Sequence, residues 1–575
     1  MINKISNNKN RWAKQLNISV YILLILAGLS FLQSINSPFD FINEAKYLSQ
    51  PYDLKGFMKS GIYIGVYIAS LIAVALAIFT RNKTVFIFLI SLISVAYAID
   101  LFIQFVGSNE KGLSIATFSL GMTEKTRAND MLLFKQQLIE AAAVIAGFVF
   151  FAILSRNVFF KKFRVNTFLS LGIFIFMSAI TLFVVLKIFS VVAQAFPAPI
   201  KAMAIASEYY LENKAEEPRV LSDAVIPTQN PEYKTIVWII DESIGGQYLS
   251  VNGYEKDTTP YLKELEKSAN NNFQNYGIVP SIANCSASTN LMLRIGLNSH
   301  QAGDFKENLK TLPTIFQYAK RAGYKTHLID AQVAPGQLQN HLSVYDKSDI
   351  DNFVTFSRKH IPNTRDQKVL ESLTGILDNK DNTAAKLNFI VVVKLGAHWP
   401  YPLSYPIDQE FFKPATRESY TAMIGVNKEL ILNAYYNSIR FSVDKFLKEL
   451  TENRNLDDKV IIYTADHGQT LFYNDDPLTH CHSGRKIPID EFKVPLMVFA
   501  NGARESFKKP IEKISAQEQM FPTTLRLMGF PENIYNPYGP TLGTGVNADS
   551  IQSFIMLSGK KINIKTGGKW GGVTE

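Results

Sequence analysis

Five long apolar stretches crowd the first two hundred residues, at 18–32, 61–80, 85–106, 138–154 and 168–186. A bilayer core about 30 Å thick takes about 20 apolar residues as a helix, and a segment in lipid must close its own backbone hydrogen bonds. The stretches therefore predict five transmembrane helices forming a membrane domain over residues 1–196. The first and fourth are short by a strict count, but Leu16 and Ile35 extend the first. A cleaved signal peptide would account for the first stretch alone, and no small-residue cleavage site follows it cleanly.

The basic residues in the connections set an orientation. Lys4, Lys9, Arg11 and Lys14 precede the first stretch, Arg81 and Lys83 separate the second from the third, and Arg156, Lys161, Lys162 and Arg164 separate the fourth from the fifth. The other connections mix acids with bases. The positive-inside rule puts the N-terminus in the cytoplasm, and an odd number of spans delivers everything after the fifth to the outer face. Part of the net charge of +9 lies in these inner clusters, so it calls for no nucleic-acid partner. The rest suits an anionic lipid surface. Asp100 and Glu140, near span ends, read as interfacial rather than as functional intramembrane charges.

From 197 to 233 the composition turns to Ala, Glu, Lys and scattered Pro, which predicts a bridging segment with a surface helix over 202–213. Residues 234–575 form the expected outer domain, since 575 residues exceed what one compact unit usually holds. Strand-like runs at 235–241, 324–329, 387–393, 460–464 and 494–499 alternate there with helix-like runs at 260–269, 312–322, 365–378, 419–451 and 517–527. Alternation of this kind predicts an α/β unit, a largely parallel sheet flanked by helices. Thr259 followed by Pro260 reads as an N-cap with proline at the first helical position.

Ligands gather outside the carboxyl ends of strands in such sheets. Glu242 closes one apolar run, and Asp466-His467-Gly468 closes another more than two hundred residues later. A carboxylate and an Asp-His pair at neighbouring strand ends can share a divalent cation, although either half alone would read as an ordinary turn. The segment Asn284-Cys-Ser-Ala-Ser-Thr289-Asn290 leads into an apolar run and reads as a helix start. There a Ser or Thr hydroxyl beside a metal becomes a candidate nucleophile for a phosphoryl group. Two further segments bring histidines: His398 just beyond the run at 387–393, and His480 and His482 in the loop after Asp466-His467.

Glu242-Ser243, the run Asn252-Gly-Tyr-Glu-Lys-Asp-Thr-Thr-Pro260, Cys285 to Asn290, His398, and Asp466-His467-Gly468 with a later His together resemble the phosphoethanolamine transferases of the bacterial inner membrane. These belong to the alkaline-phosphatase and sulfatase superfamily, and the resemblance covers nearly the whole chain. It implies five membrane helices and a periplasmic catalytic domain. It further implies that Glu242, Thr289, Asp466 and His467 bind zinc, with manganese as an alternative, and that Thr289 is the nucleophile. His398 and His480, or His482 in its place, would hold the phosphate and assist proton transfer. The implied donor is phosphatidylethanolamine; the implied acceptor is lipid A, an LPS core sugar or another envelope glycan. Masking lipid A phosphates would reduce binding of cationic peptides such as polymyxin.

The sequence also departs from that family. Ile295 stands where the nucleophile loop's second cysteine would be, Ser286-Ala287 replaces the usual Gly-Thr, and Glu242-Ser-Ile-Gly-Gly lacks the usual arginine. Cys285 and Cys481 are the chain's two cysteines, one beside the implied nucleophile and one beside His480, and since both flank one site in an oxidising compartment they are expected to approach each other. Phosphoglycerol transfer onto a membrane-linked glycan is the nearest rival activity, and an inactive membrane-anchored binding protein is a rival of another class. Cys285-Ser-Ala-Ser-Thr289 lacks the proline and arginine of a formylglycine motif, which argues against sulfate-ester hydrolysis.

Overall fold

The computed structural model describes residues 54–107, 135–159, 165–188, 218–268, 271–301, 305–357, 360–378, 387–417, 427–472, 481, 487–511, 513–547, 552–554 and 561–563. The apolar stretch at 18–32, the helix expected over 202–213, His480 and His482 lie outside the described residues. The chain divides into two compact units, Met1–Lys214 and Ala215–Glu575.

In the first unit four apolar stretches appear as helices α1 (Leu54–Phe79), α2 (Lys83–Gly107), α3 (Lys135–Phe159) and α4 (Thr167–Ile188). At 1.5 Å per residue they run about 33–39 Å. Tyr67, Val74 and Ile78 pack with Phe86, Leu89, Ile93 and Phe148 inside the bundle. Phe57, Phe88, Phe150 and Phe168 are exposed on its outside. A bundle apolar both within and without is what a lipid surround permits. By length and mean hydropathy, one helix among the described residues, Ser60–Phe79, is long and apolar enough to cross a membrane.

The α1–α2 and α3–α4 connections meet at one end of this unit. Thr80 bridges to Val165, and Arg81 N–H donates to Val165 O at 3.1 Å. The Arg156 guanidinium donates to Ile78 O (3.1 Å) and Thr80 O (2.6 Å) and lies 4.4 Å from the centre of the Phe86 ring. It satisfies carbonyls that the end of α1 would otherwise leave open. Arg81, Lys83 and Arg156 are therefore gathered at one end of this unit.

The second unit is built on a seven-stranded sheet: β1 (Thr235–Asp241), β2 (Phe273–Pro280), β3 (Lys325–Asp330), β4 (Asn352–Thr355), β5 (Asn388–Val393), β6 (Lys459–Ala465) and β7 (Lys493–Ala500), in the order β2-β7-β6-β1-β5-β3-β4. Strands β6, β1, β5, β3 and β4 are parallel; β7 runs antiparallel to β6, and β2 to β7. The five strands expected from apolar runs are all present. The two others are edge strands: β4 has four residues, and β2 carries Gly277 at a register shift and ends on Pro280. Edges tolerate residues that a central strand would reject.

The register levels the central strands. Ile240 pairs with Val393 of β5, and Asp241 with Ala465 of β6. Glu242, the Lys394–His398 loop and Asp466-His467 therefore leave the sheet at the same edge.

Helices α5 (Pro260–Lys267), α6 (Ser286–Ile295), α7 (Ile315–Arg321), α8 (Pro362–Leu377), α9 (Lys428–Ile439), α10 (Phe446–Thr451) and α11 (Met520–Leu527) accompany the sheet. The helix expected over 312–322 begins later, at a capping box between Thr314 and Gln317. The one expected over 419–451 begins at Lys428 under an Asn427 cap, and a π turn over Arg440–Lys445 divides it; 418–426 lie outside the described residues. Thr259 does occupy the N-cap of α5 with Pro260 next, but its hydroxyl accepts from Val251 N instead. The cap comes from Asp444 on the π turn, whose two oxygens accept from Tyr261 N (3.1 Å) and Leu262 N (3.0 Å). Asp444→Ala is expected to cost about 1–2 kcal/mol, read as a lowered thermal unfolding midpoint; an unchanged midpoint would contradict this capping role.

Candidate functional site

Each group at the sheet edge is fixed by backbone. Asp466 Oδ1 accepts from Ser243 N (3.0 Å) and His467 N (2.7 Å) and lies 3.7 Å from His467 Nε2, while Oδ2 is buried with no hydrogen-bond partner. His467 Nδ1 lies 2.7 Å from Gly468 O. A carbonyl only accepts, so Nδ1 carries the proton and Nε2 presents its lone pair in the neutral ring. Nε2 stands 3.4 Å from Glu242 Oε1. Gly468 permits this turn, because a Cβ there would sit 2.0 Å from Asp490 O.

Glu242 follows β1 on a loop clamped by Tyr435, whose hydroxyl donates to Ser243 O and accepts from Gly245 N, both at 2.9 Å. Its Oε1 accepts from the Ser243 hydroxyl (2.7 Å) and its Oε2 from Gln332 Nε2 (2.9 Å). Ligand atoms of Glu242, Asp466 and His467 all lie within 4.8 Å of one another, and the three residues are buried. Two carboxylates and an imidazole with a buried oxygen left over fit a divalent cation such as zinc.

The electrostatics point the same way. Burial would raise the Glu242 carboxyl, but the hydrogen bond and charge of His467, then the charge of His398, hold it well below the usual range. Asp466 is pushed well above its usual range by burial and then by the Glu242 charge. Burial would lower His467, yet the charges of Asp466 and Glu242 raise it to about 10. Without a metal, the imidazolium supplies the cation that the two carboxyl groups need.

Helix α6 points its N-terminus at this group. Ser286, its first residue, places Oγ 3.1 Å from His467 Nε2 and 3.3 and 3.2 Å from the two Glu242 oxygens. Thr289 lies a turn further on, fully buried, and its hydroxyl donates to Ala283 O at 3.1 Å. The structure thus brings Glu242, Asp466, His467 and Ser286 together, with the Thr289 hydroxyl engaged by the preceding loop. His398 is half-buried beyond β5, with Nδ1 2.6 Å from Trp399 O. Cys285, the N-cap of α6, is disulfide-bonded to Cys481 with the Cα atoms 4.8 Å apart, and Cys481 N donates to Asn284 O (3.2 Å). Gln332 bore no sequence signal: it is an uncharged side chain in a loop, and only its contact with Glu242 reveals it.

Two measurements check this geometry. A metal bound here would displace the proton of the His467 imidazolium, so affinity should tighten as pH rises from 6 to 8, about tenfold per unit. Titrations in buffers of different ionisation heat would show that release; a pH-independent affinity would contradict it. Peptide mapping without reductant should recover the Cys285–Cys481 cross-link, whereas two free thiols in the folded protein would contradict the pairing.

Comparison with known proteins follows this geometry. Kdo(2)-lipid A phosphoethanolamine 7''-transferase of Escherichia coli K12 is 26% identical over 280 residues, covering 47% of this chain and 45% of the relative. Phosphoethanolamine transferase EptA of Helicobacter pylori is 26% identical over 300 residues, covering 50% and 51%. The chain thus spans about half the length of these relatives. The integral membrane lipooligosaccharide phosphoethanolamine transferase A of Neisseria meningitidis superposes with a TM-score of 0.58 at 16% identity, over 88% of this chain and 95% of that one, a likeness of fold. Residues 234–530, more than half of the chain and the part that holds Glu242, Asp466 and His467, match the Sulfatase family model: the chain belongs to the sulfatase family.

Proposed function

We propose that this protein is a metal-dependent transferase that moves phosphoethanolamine from phosphatidylethanolamine to lipid A or another envelope glycan at the outer face of the inner membrane. The observation that carries the reading is the Ser286 hydroxyl, held at the first turn of α6 against Glu242 and His467. The relatives named as phosphoethanolamine transferases support the group transferred, and those named for lipid A support the acceptor. The membrane helices, with basic connections at one end, support the address.

In this reading Glu242, Asp466 and His467 hold zinc, which when bound favours the ionised hydroxyl and offsets charge on the phosphate. Ser286 is the attacking residue in place of Thr289, because Thr289 Oγ1 faces Ala283 O. The first-turn N–H groups of α6 face the phosphate oxygens. Ser286 Oγ bonds to phosphorus as the bond to the diacylglycerol oxygen breaks, leaving phosphoethanolamine on the serine. His398, through Nε2, with His480 or His482, takes the Ser286 proton and gives it to that leaving oxygen; the same groups then take the proton of the acceptor hydroxyl, whose oxygen bonds to phosphorus as the Ser286 Oγ–phosphorus bond breaks, and return the proton to Ser286. Sulfate-ester chemistry is disfavoured by the missing formylglycine motif, despite the family's name.

The purified full chain, incubated with phosphatidylethanolamine and digested, should carry a phosphoethanolamine mass increment on Ser286. Ser286→Ala should lose the adduct and at least a hundredfold in transfer, by analogy with other removed nucleophiles; Thr289→Val should keep both. An adduct on Thr289 would restore that residue as nucleophile, and a glycerol phosphate increment formed from phosphatidylglycerol in a parallel incubation, with none from phosphatidylethanolamine, would favour the rival activity.

A further inference from the structure

Gln332 follows the end of β3 and reaches across to Glu242. Its Nε2 donates to Glu242 Oε2 (2.9 Å) and to Lys394 O (2.8 Å), while its Oε1 accepts from Gln339 Nε2 (2.9 Å) and Asn340 Nδ2 (3.3 Å). The amide cannot be reversed without loss, because a carboxylate and a carbonyl lie on one side and neither donates. The loop that supplies the two donors is itself fixed. Asn340 and His341 both adopt left-handed backbone (φ 53°), and their carbonyls accept from Arg294 on α6 at 3.0 and 2.7 Å. Backbone in that region is held only where its surroundings demand it.

We propose that Gln332 is a positioning residue for the metal centre: it pins Glu242 Oε2 so that Oε1, the oxygen nearer His467 Nε2, is turned toward the cation. Two donors fix the amide, the amide fixes the carboxylate, and Arg294 ties the whole loop to the helix that carries Ser286. The centre is thereby assembled from the ends of β1, β3, β5 and β6 together, so the rotation of Glu242 is set by a strand end that contributes no ligand. Partners of this kind are worth about 10- to 100-fold in metal affinity. The inference rests on the metal reading given under the proposed function.

The test is zinc affinity of the full chain in detergent, measured by competition with a zinc-sensitive fluorescent chelator, beside thermal unfolding of the metal-free protein. Gln332→Leu should weaken zinc about 10- to 100-fold with little change in metal-free unfolding. Gln339→Ala, which removes one of the two donors to Gln332 Oε1, should weaken it less and in the same direction. It carries the test if Gln332→Leu does not fold. Unchanged zinc affinity in the folded variants, or a change confined to the KM for phosphatidylethanolamine, would overturn the inference. Glu242→Gln serves as reference: if it binds zinc like the parent, the metal reading itself fails, whereas if it alone loses zinc, only the role of Gln332 fails.

Discussion

Two carboxyl groups, Glu242 and Asp466, are buried side by side at the ends of adjacent parallel strands, and the rest of the second unit is arranged around that placement. Like charges out of water raise one another's pKa and oppose folding unless a cation or proton intervenes. The His467 ring is present as one partner, and a divalent ion is the stronger one. Below the site lies a second buried charge pair: Lys394 Nζ meets Asp241 Oδ2 at 2.7 Å, with the Tyr463 hydroxyl donating to the same oxygen at 2.9 Å. That lysine also donates to Ser442 O on the π turn, so the break in the α9–α10 segment gives a buried ammonium one of its acceptors.

Loops holding such a centre must not drift, and tyrosines couple them. Tyr435 clamps the Glu242 loop and packs edge-on against Tyr248 and Tyr401, with ring centres 5.5 and 4.9 Å apart. Tyr401 follows the His398 loop, packs against Trp399 at 4.9 Å, and its hydroxyl accepts from Gln469 of the Asp466-His467 loop at 2.5 Å. Tyr254, from the Asn252–Pro260 run, donates to Tyr436 OH at 2.6 Å. The Asn252–Pro260 run is thus tied to α9, the helix that carries Tyr435.

What could be read beforehand depended on the physical signal each residue leaves. Strands β1, β5 and β6 are buried on both faces, so their apolar runs and the polar residues that end them stand out. Edge strands β2 and β4 leave no such run. Ser286 and Thr289 are three residues apart on one helix, and only the position of the Ala283 carbonyl separates them. The Cys285–Cys481 pairing is legible because both cysteines flank one site, whereas nothing in the sequence marks Asp444 as the cap of α5. Gln332 carries neither charge nor periodicity, and its part is set by three-dimensional contact alone.

If Glu242, Asp466 and His467 form one metal centre with a serine hydroxyl at its edge, anomalous diffraction at the zinc edge from crystals of the full chain should show one strong peak about 2.0–2.2 Å from oxygens of Glu242 and Asp466 and from His467 Nε2, with Ser286 Oγ beside it. No peak at this group, or a metal approached by Thr289 Oγ1 with Ser286 turned away, would contradict it.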